Sequence, residues 1–128
     1  MRSMFSRCEN LFNIDLSNFD TENVENLSQM FFGCTNLIDI NLSNFDTKKV
    51  INMNGLFCHC NALTTLNLSN FNIDNVSIIK FIFYECINLT NIKVSSLINT
   101  SKVEKNMKMF KDCANFPKKY FPYFNLDI

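Results

Sequence analysis

Five cysteines, Cys8, Cys34, Cys60, Cys86 and Cys113, stand 26, 26, 26 and 27 residues apart, and each carries the same neighbours. A fixed period of roughly 20 to 50 residues constrains a chain more than any single motif, because every unit must adopt one shape that packs against the next. Ahead of each cysteine come an apolar residue and phenylalanine: Met4-Phe5, Met30-Phe31, Leu56-Phe57, Ile82-Phe83 and Met109-Phe110. Behind it an apolar triplet follows at offsets three, six and eight: Leu11, Ile14, Leu16; Leu37, Ile40, Leu42; Leu63, Leu66, Leu68; Leu89, Ile92, Val94. The unit continues with Ser-Asn-Phe-Asp-Thr, intact at 17–21 and 43–47, relaxed at 69–73 and lost after Ser95.

Each unit divides into two segments. The triplet ends in a period-two alternation, which predicts a short strand with its apolar residues on one side and polar ones on the other. The second segment has a helical period, with Val24, Leu27, Met30, Phe31 and Cys34 at offsets 0, 3, 6, 7 and 10, and the pattern recurs from Val50 and Val76. In the last copy Val103, Met109, Phe110 and Cys113 keep that spacing while Asn106 replaces an apolar residue. Asp20-Thr21 and Asp46-Thr47 stand where helix N-caps are wanted. The expected fold is an α/β repeat, a solenoid with a parallel β-sheet on one face and short helices on the other. It forms a single domain over 1–128, with units starting near 4, 30, 56 and 82 and a degenerate fifth unit and cap over 109–128. In that cap Phe116, Tyr120, Phe121, Tyr123 and Phe124 read as an aromatic lid, and Pro117 and Pro122 interrupt any ladder.

These residues resemble the BspA-type leucine-rich-repeat surface proteins of bacteria and some protists, in the branch whose unit reads M-F-x-x-C-x-x-L-x-x-L-D-L-S-N-F-D-T-x-x-V-x-x-M. The resemblance covers Met4 to about Cys113. It implies a leucine-rich-repeat solenoid on a cell-surface or secreted protein concerned with adhesion, binding host or extracellular proteins, with no conserved catalytic residues.

Twelve basic residues balance twelve acidic ones, which argues against a nucleic-acid binder working by phosphate neutralisation. No apolar run reaches the 18 or so residues of a membrane span, and Met1 to Asn10 lacks the apolar core of a signal peptide. The charge is graded along the chain, from −5 over residues 1–46 to +4 over 93–128, with Lys102, Lys105, Lys108 and Lys111 expected to line one helix face. Because residue 1 falls inside a repeat unit, its strand is expected to be an open edge through which copies of the chain self-associate.

Five of the six cysteines share one position per unit, so they are expected to stack as free thiols; a disulfide needs Cβ atoms turned towards each other. Cys58-His59-Cys60 is the only dense set of potential ligands, and the alternative function is a small metal- or thiol-dependent protein using it. Zinc wants four ligands and Cys60 already belongs to the column, so no metal, cofactor or catalytic residue is expected. Asn-x-Ser/Thr patterns at Asn26, Asn41, Asn67, Asn75, Asn88 and Asn99 fall largely within the repeat template and read as structural. The candidate protein-binding face consists of outward strand positions: Asn13, Asp15, Asp39, Asn41, Thr65, Asn67, Asn91 and Lys93.

Overall fold

The computed structural model describes residues 1–95, 108–117 and 119. The expected α/β solenoid with short helices on one face does not form. Among the described residues there is no α-helix, and strands are confined to β1 (Thr65–Leu68) and β2 (Asn91–Val94), paired in parallel in register Thr65↔Asn91 to Leu68↔Val94. No described helix, therefore, is long and apolar enough to cross a membrane.

The segment with helical spacing is a run of tight turns. Met30 N–H donates to Leu27 O at 3.2 Å and Cys34 N–H to Phe31 O at 3.1 Å, while the third residue of each turn, Gln29 and Gly33, has φ of 56° and 69°. A positive φ there is the type II pattern. Two such turns in succession point residues 27, 30, 31 and 34 inward, the same i, i+3, i+4, i+7 set that a helix would bury. All four are fully buried. Every second donor leaves the unit: Leu27, Gln29, Phe31 and Gly33 N–H bond Asn52, Asn54, Leu56 and Cys58 O at 2.8–3.0 Å. Backbone groups that a helix would satisfy internally thus join one unit to the next. An isolated helix of this length is marginal in water, and a segment holding Asn, Ser and Gly gains more from neighbouring units.

The left-handed positions recur five and one residues before the cysteine: Ser3 and Arg7, Gln29 and Gly33, Gly55 and His59, Phe81 and Glu85, and then Asp112. Only two of them are glycine, and for other residues this conformation costs roughly 1–2 kcal/mol. Gly55→Ala is expected to lower stability by about 1 kcal/mol, since a Cβ there meets only Gln29 Cγ at 3.5 Å and Cys58 Cβ at 3.7 Å and the cost is conformational. Gln29→Gly, at the equivalent position one unit earlier, is expected to raise it by up to about 1 kcal/mol. Urea denaturation of both variants checks the pair; no change at Gly55 would contradict the turn assignment.

Inside the turns runs a column of phenylalanines. Phe5, Phe31, Phe57, Phe83 and Phe110 follow one another at centroid spacings of 5.1–6.1 Å, and Phe116 lies 4.2 Å beyond Phe110 and nearly parallel to it. Phe116 therefore extends the column by one ring; the other residues of the lid reading, Tyr120, Phe121, Tyr123 and Phe124, lie outside the described residues, as do Pro122, Lys102, Lys105, Val103 and Asn106. Beside the rings, Cys34, Cys60, Cys86 and Cys113 Sγ donate to Phe5, Phe31, Phe57 and Phe83 O at 3.1, 3.1, 3.0 and 2.7 Å, and all six cysteines are free.

The Ser-Asn-Phe-Asp-Thr corner is held by side chains reaching one unit back. Asn44 Nδ2 donates to Leu16, Ser17 and Phe19 O, and Asn70 Nδ2 repeats this on Leu42, Ser43 and Phe45 O, at 2.9–3.3 Å. Thr21 and Thr47 cap no helix; they are buried, and their hydroxyls accept Asp46 and Asn72 N–H at 2.7 and 2.8 Å. Asp20 and Asp46 each take the N–H two residues on, as in an Asx turn.

Candidate functional site

The eight residues expected on a binding face are all exposed. Their repeat positions align them in two rows across the units, Asn13, Asp39, Thr65 and Asn91 in one and Asp15, Asn41, Asn67 and Lys93 in the other. β1 and β2 fix the last pair in each row, and Ile38 N–H donating to Phe12 O at 2.9 Å sets the first two units side by side. The ladder extends no further because local bonds compete with it. Asp39 Oδ1 accepts Ile40 N–H at 2.8 Å in mid-segment, whereas the third and fourth units carry Thr64, Thr65 and Thr90, β-branched residues that favour extended backbone.

The second row has a structural duty as well. Asp15, Asn41 and Asn67 Oδ1 accept the N–H of Ser17, Ser43 and Ser69 at 2.9, 3.0 and 3.1 Å, ending the segment in the same Asx turn each time. In the Asn-x-Ser patterns opened by Asn41 and Asn67 the asparagine is thus committed to the backbone of its own turn, and at Asn67 the Ser69 hydroxyl adds a second bond at 2.8 Å. The Ser17 backbone bond, with a weaker one from the Ser17 hydroxyl, also holds the Asp15 carboxyl below the usual carboxylate range, so it stays ionised.

Cys58-His59-Cys60 disperses. The Cys60 thiol is spent on Phe31 O, Cys58 is buried with its thiol pushed up to about 12 by burial, and His59 Nδ1 lies 3.1 Å from Glu85 Oε2. No group of three or more His, Cys, Asp or Glu suited to a metal ion occurs among the described residues.

His59 belongs instead to a ridge that sequence spacing did not reveal. Arg7 lies over the Phe32 ring at 5.9 Å, His59 meets Phe32 and Tyr84 edge-on at 5.4 and 5.6 Å, and Lys111 lies over Tyr84 at 5.8 Å. The two positions before each cysteine, Ser6-Arg7, Phe32-Gly33, Cys58-His59, Tyr84-Glu85 and Lys111-Asp112, carry a different residue in every unit, and that disagreement is the only signal. Here the side chains are occupied with one another, which marks the ridge as a clamp across the turns.

Residues 1–123 match the model of a family described as Mycoplasma protein of unknown function, DUF285. No curated protein and no solved structure matches the chain.

Proposed function

The chain belongs to this DUF285 family, whose function is unknown, and on that premise we propose that it is a non-enzymatic protein-interaction module of a cell-surface or secreted, adhesin-like protein. Its contact surface is the outward face carrying Asn13, Asp15, Asp39, Asn41, Thr65, Asn67, Asn91 and Lys93. The observation that carries this reading is the contrast between faces. The turn side and the Ser-Asn-Phe-Asp-Thr corner spend their polar groups on neighbouring units, while the eight face residues are exposed, in rows repeated from unit to unit. Repeat proteins bind through such extended surfaces. The BspA-type spacing supports the same role and the same location. A metal- or thiol-dependent protein using Cys58-His59-Cys60 is the weaker reading, since Cys58 and Cys60 are buried and His59 Nδ1 faces Glu85.

The test is capture from an extracellular-matrix extract by immobilised protein. Asp15→Lys and Lys93→Glu are expected to lower recovery of a captured partner at least tenfold, while Glu22→Lys, exposed on a different corner, leaves it within about twofold, tenfold being about 1.4 kcal/mol. Equal loss from all three would remove this face from consideration.

A further inference from the structure

The outward face is not uniform along the stack. Phe12 and Ile38, 54% and 57% exposed, are the most exposed large apolar side chains among the described residues, and they sit side by side through the Ile38 N–H to Phe12 O bond. The equivalent positions in the next two units are Thr64 and Thr90, already joined by the Thr90 N–H and Oγ1 bonds to Thr64 O. Single exposed apolar residues are ordinary, but an adjacent pair on the face that otherwise presents polar side chains marks a surface that gains by being covered.

Charge says what covers it. Asp15 and Asp39 flank the pair, both exposed, and their hydrogen bonds stay within their own segments, to Ser17 and to Ile40 N–H. Neither has a cationic partner within 4.0 Å among the described residues, whereas Asp46 and Asp112 elsewhere pair with Lys48 and Lys111. Two uncompensated carboxylates beside two uncovered apolar side chains complement a segment that alternates cationic and apolar residues. Such a segment lies along the face in extended form, in which three of its own residues span about 10 Å and reach from an apolar side chain to a carboxylate. The excess of acidic residues over 1–46 steers a cation to the same end of the stack.

Resting on the reading of this face as the contact surface, we infer that its first two units dock an extended basic segment of a partner protein. The segment's apolar side chains cover Phe12 and Ile38, and its ammonium or guanidinium groups pair with Asp15 and Asp39.

Fluorescence anisotropy with the full chain and a labelled, end-capped decapeptide of alternating lysine and valine tests this. The peptide is expected to bind, with affinity falling as salt is raised. Asp15→Asn with Asp39→Asn keeps both backbone acceptors and removes the charges, and is expected to weaken binding at least tenfold; Phe12→Ser with Ile38→Ser does likewise. Glu22→Gln with Glu25→Gln removes two charges elsewhere and is expected to change it less than twofold. Equal binding of a lysine–serine decapeptide would overturn the inference, because charge alone would then suffice, and so would equal loss from the Glu22 and Glu25 pair. A dimer of the chain abolished by Phe12→Ser would overturn it too, by putting a second copy on the face. The two readings fail separately. If the decapeptide does not bind while Asp15→Lys still abolishes matrix capture, the basic segment is wrong and the contact face stands; if Asp15→Lys leaves capture intact, the face itself is wrong.

Discussion

Raising the pH from 7 to 10 is expected to lower folding stability by at least about 3 kcal/mol, because the core holds a column of thiols that burial keeps protonated. Burial pushes Cys60 well above the ordinary thiol value of 9.0 and Cys86 far above it, and it raises Cys34, Cys58 and Cys113 to about 11, 12 and 11. The folded value lies above the unfolded one in every case. Their contribution is therefore complete below pH 9 and is lost as the pH climbs from there towards 11 and beyond, when the unfolded chain ionises and the folded chain does not. Each thiol contributes about 1.4 kcal/mol per pH unit in that window, so Cys60 and Cys86 alone supply the loss at pH 10. Urea denaturation at pH 7, 9 and 10 measures it, and Cys60→Ala with Cys86→Ala is expected to flatten the slope. Thiol titration of the native protein supplies an independent readout: Cys8, the exposed one, reacts fast and the five buried thiols slowly. A stability unchanged between pH 8 and 10 would mean that the column is open to solvent.

That column was legible in the sequence because five equivalent cysteines can only be brought together by stacking units one period apart. The local conformation was not. Residues 27, 30, 31 and 34 are inward at the ends of two consecutive turns, and the hydrophobic pattern of that arrangement coincides with a helix. What distinguishes them is the left-handed residue one place before the end of each turn. Glycine marks it at Gly33 and Gly55, but Gln29, His59, Phe81 and Glu85 occupy it elsewhere, so no single unit displays the turn chemistry in full. The strands failed for a related reason. Alternation was present in all four units, yet in the second unit Asp39 binds the N–H of Ile40 beside it, and a ladder forms only where threonines replace such competing side chains.

The candidate face was more legible than the fold, since outward polar positions depend on alternation and not on whether a ladder closes. Asp15, Asn41 and Asn67 nevertheless have a second duty, ending each segment in an Asx turn, and sequence alone did not separate the two roles. The ridge of Arg7, Phe32, His59, Tyr84 and Lys111 was invisible for the opposite reason. It is assembled from residues with no common chemistry at positions that differ in every unit, and only the stacking brings them into reach.

Phe57→Ala is expected to destabilise the protein by about 4 kcal/mol, much of a typical domain's stability of 5–15 kcal/mol. Phe57 is fully buried, and its ring lies between Phe31 at 5.7 Å and Phe83 at 6.1 Å, within 4° of parallel to both. Removing it forfeits the transfer free energy of a large side chain, leaves a cavity, and breaks two ring contacts worth about 0.5–1.5 kcal/mol each beyond their area. The neighbouring units cannot move in to fill the space, because their separation is set by the Phe31 N–H bond to Leu56 O and the Phe57 N–H bond to Ile82 O. Phe71→Ala supplies the comparison. That ring has a single parallel partner, Phe45 at 6.5 Å, and is 9% exposed, so its loss is expected to cost about 3 kcal/mol. Urea denaturation orders the two, and hydrogen exchange locates the damage: the Phe31 and Phe57 amides should lose protection in the Phe57 variant before those of the Ser-Asn-Phe-Asp-Thr corner. A cost below about 1.5 kcal/mol at Phe57 would mean that the units collapse freely onto the gap, and that the ring column follows their spacing without enforcing it.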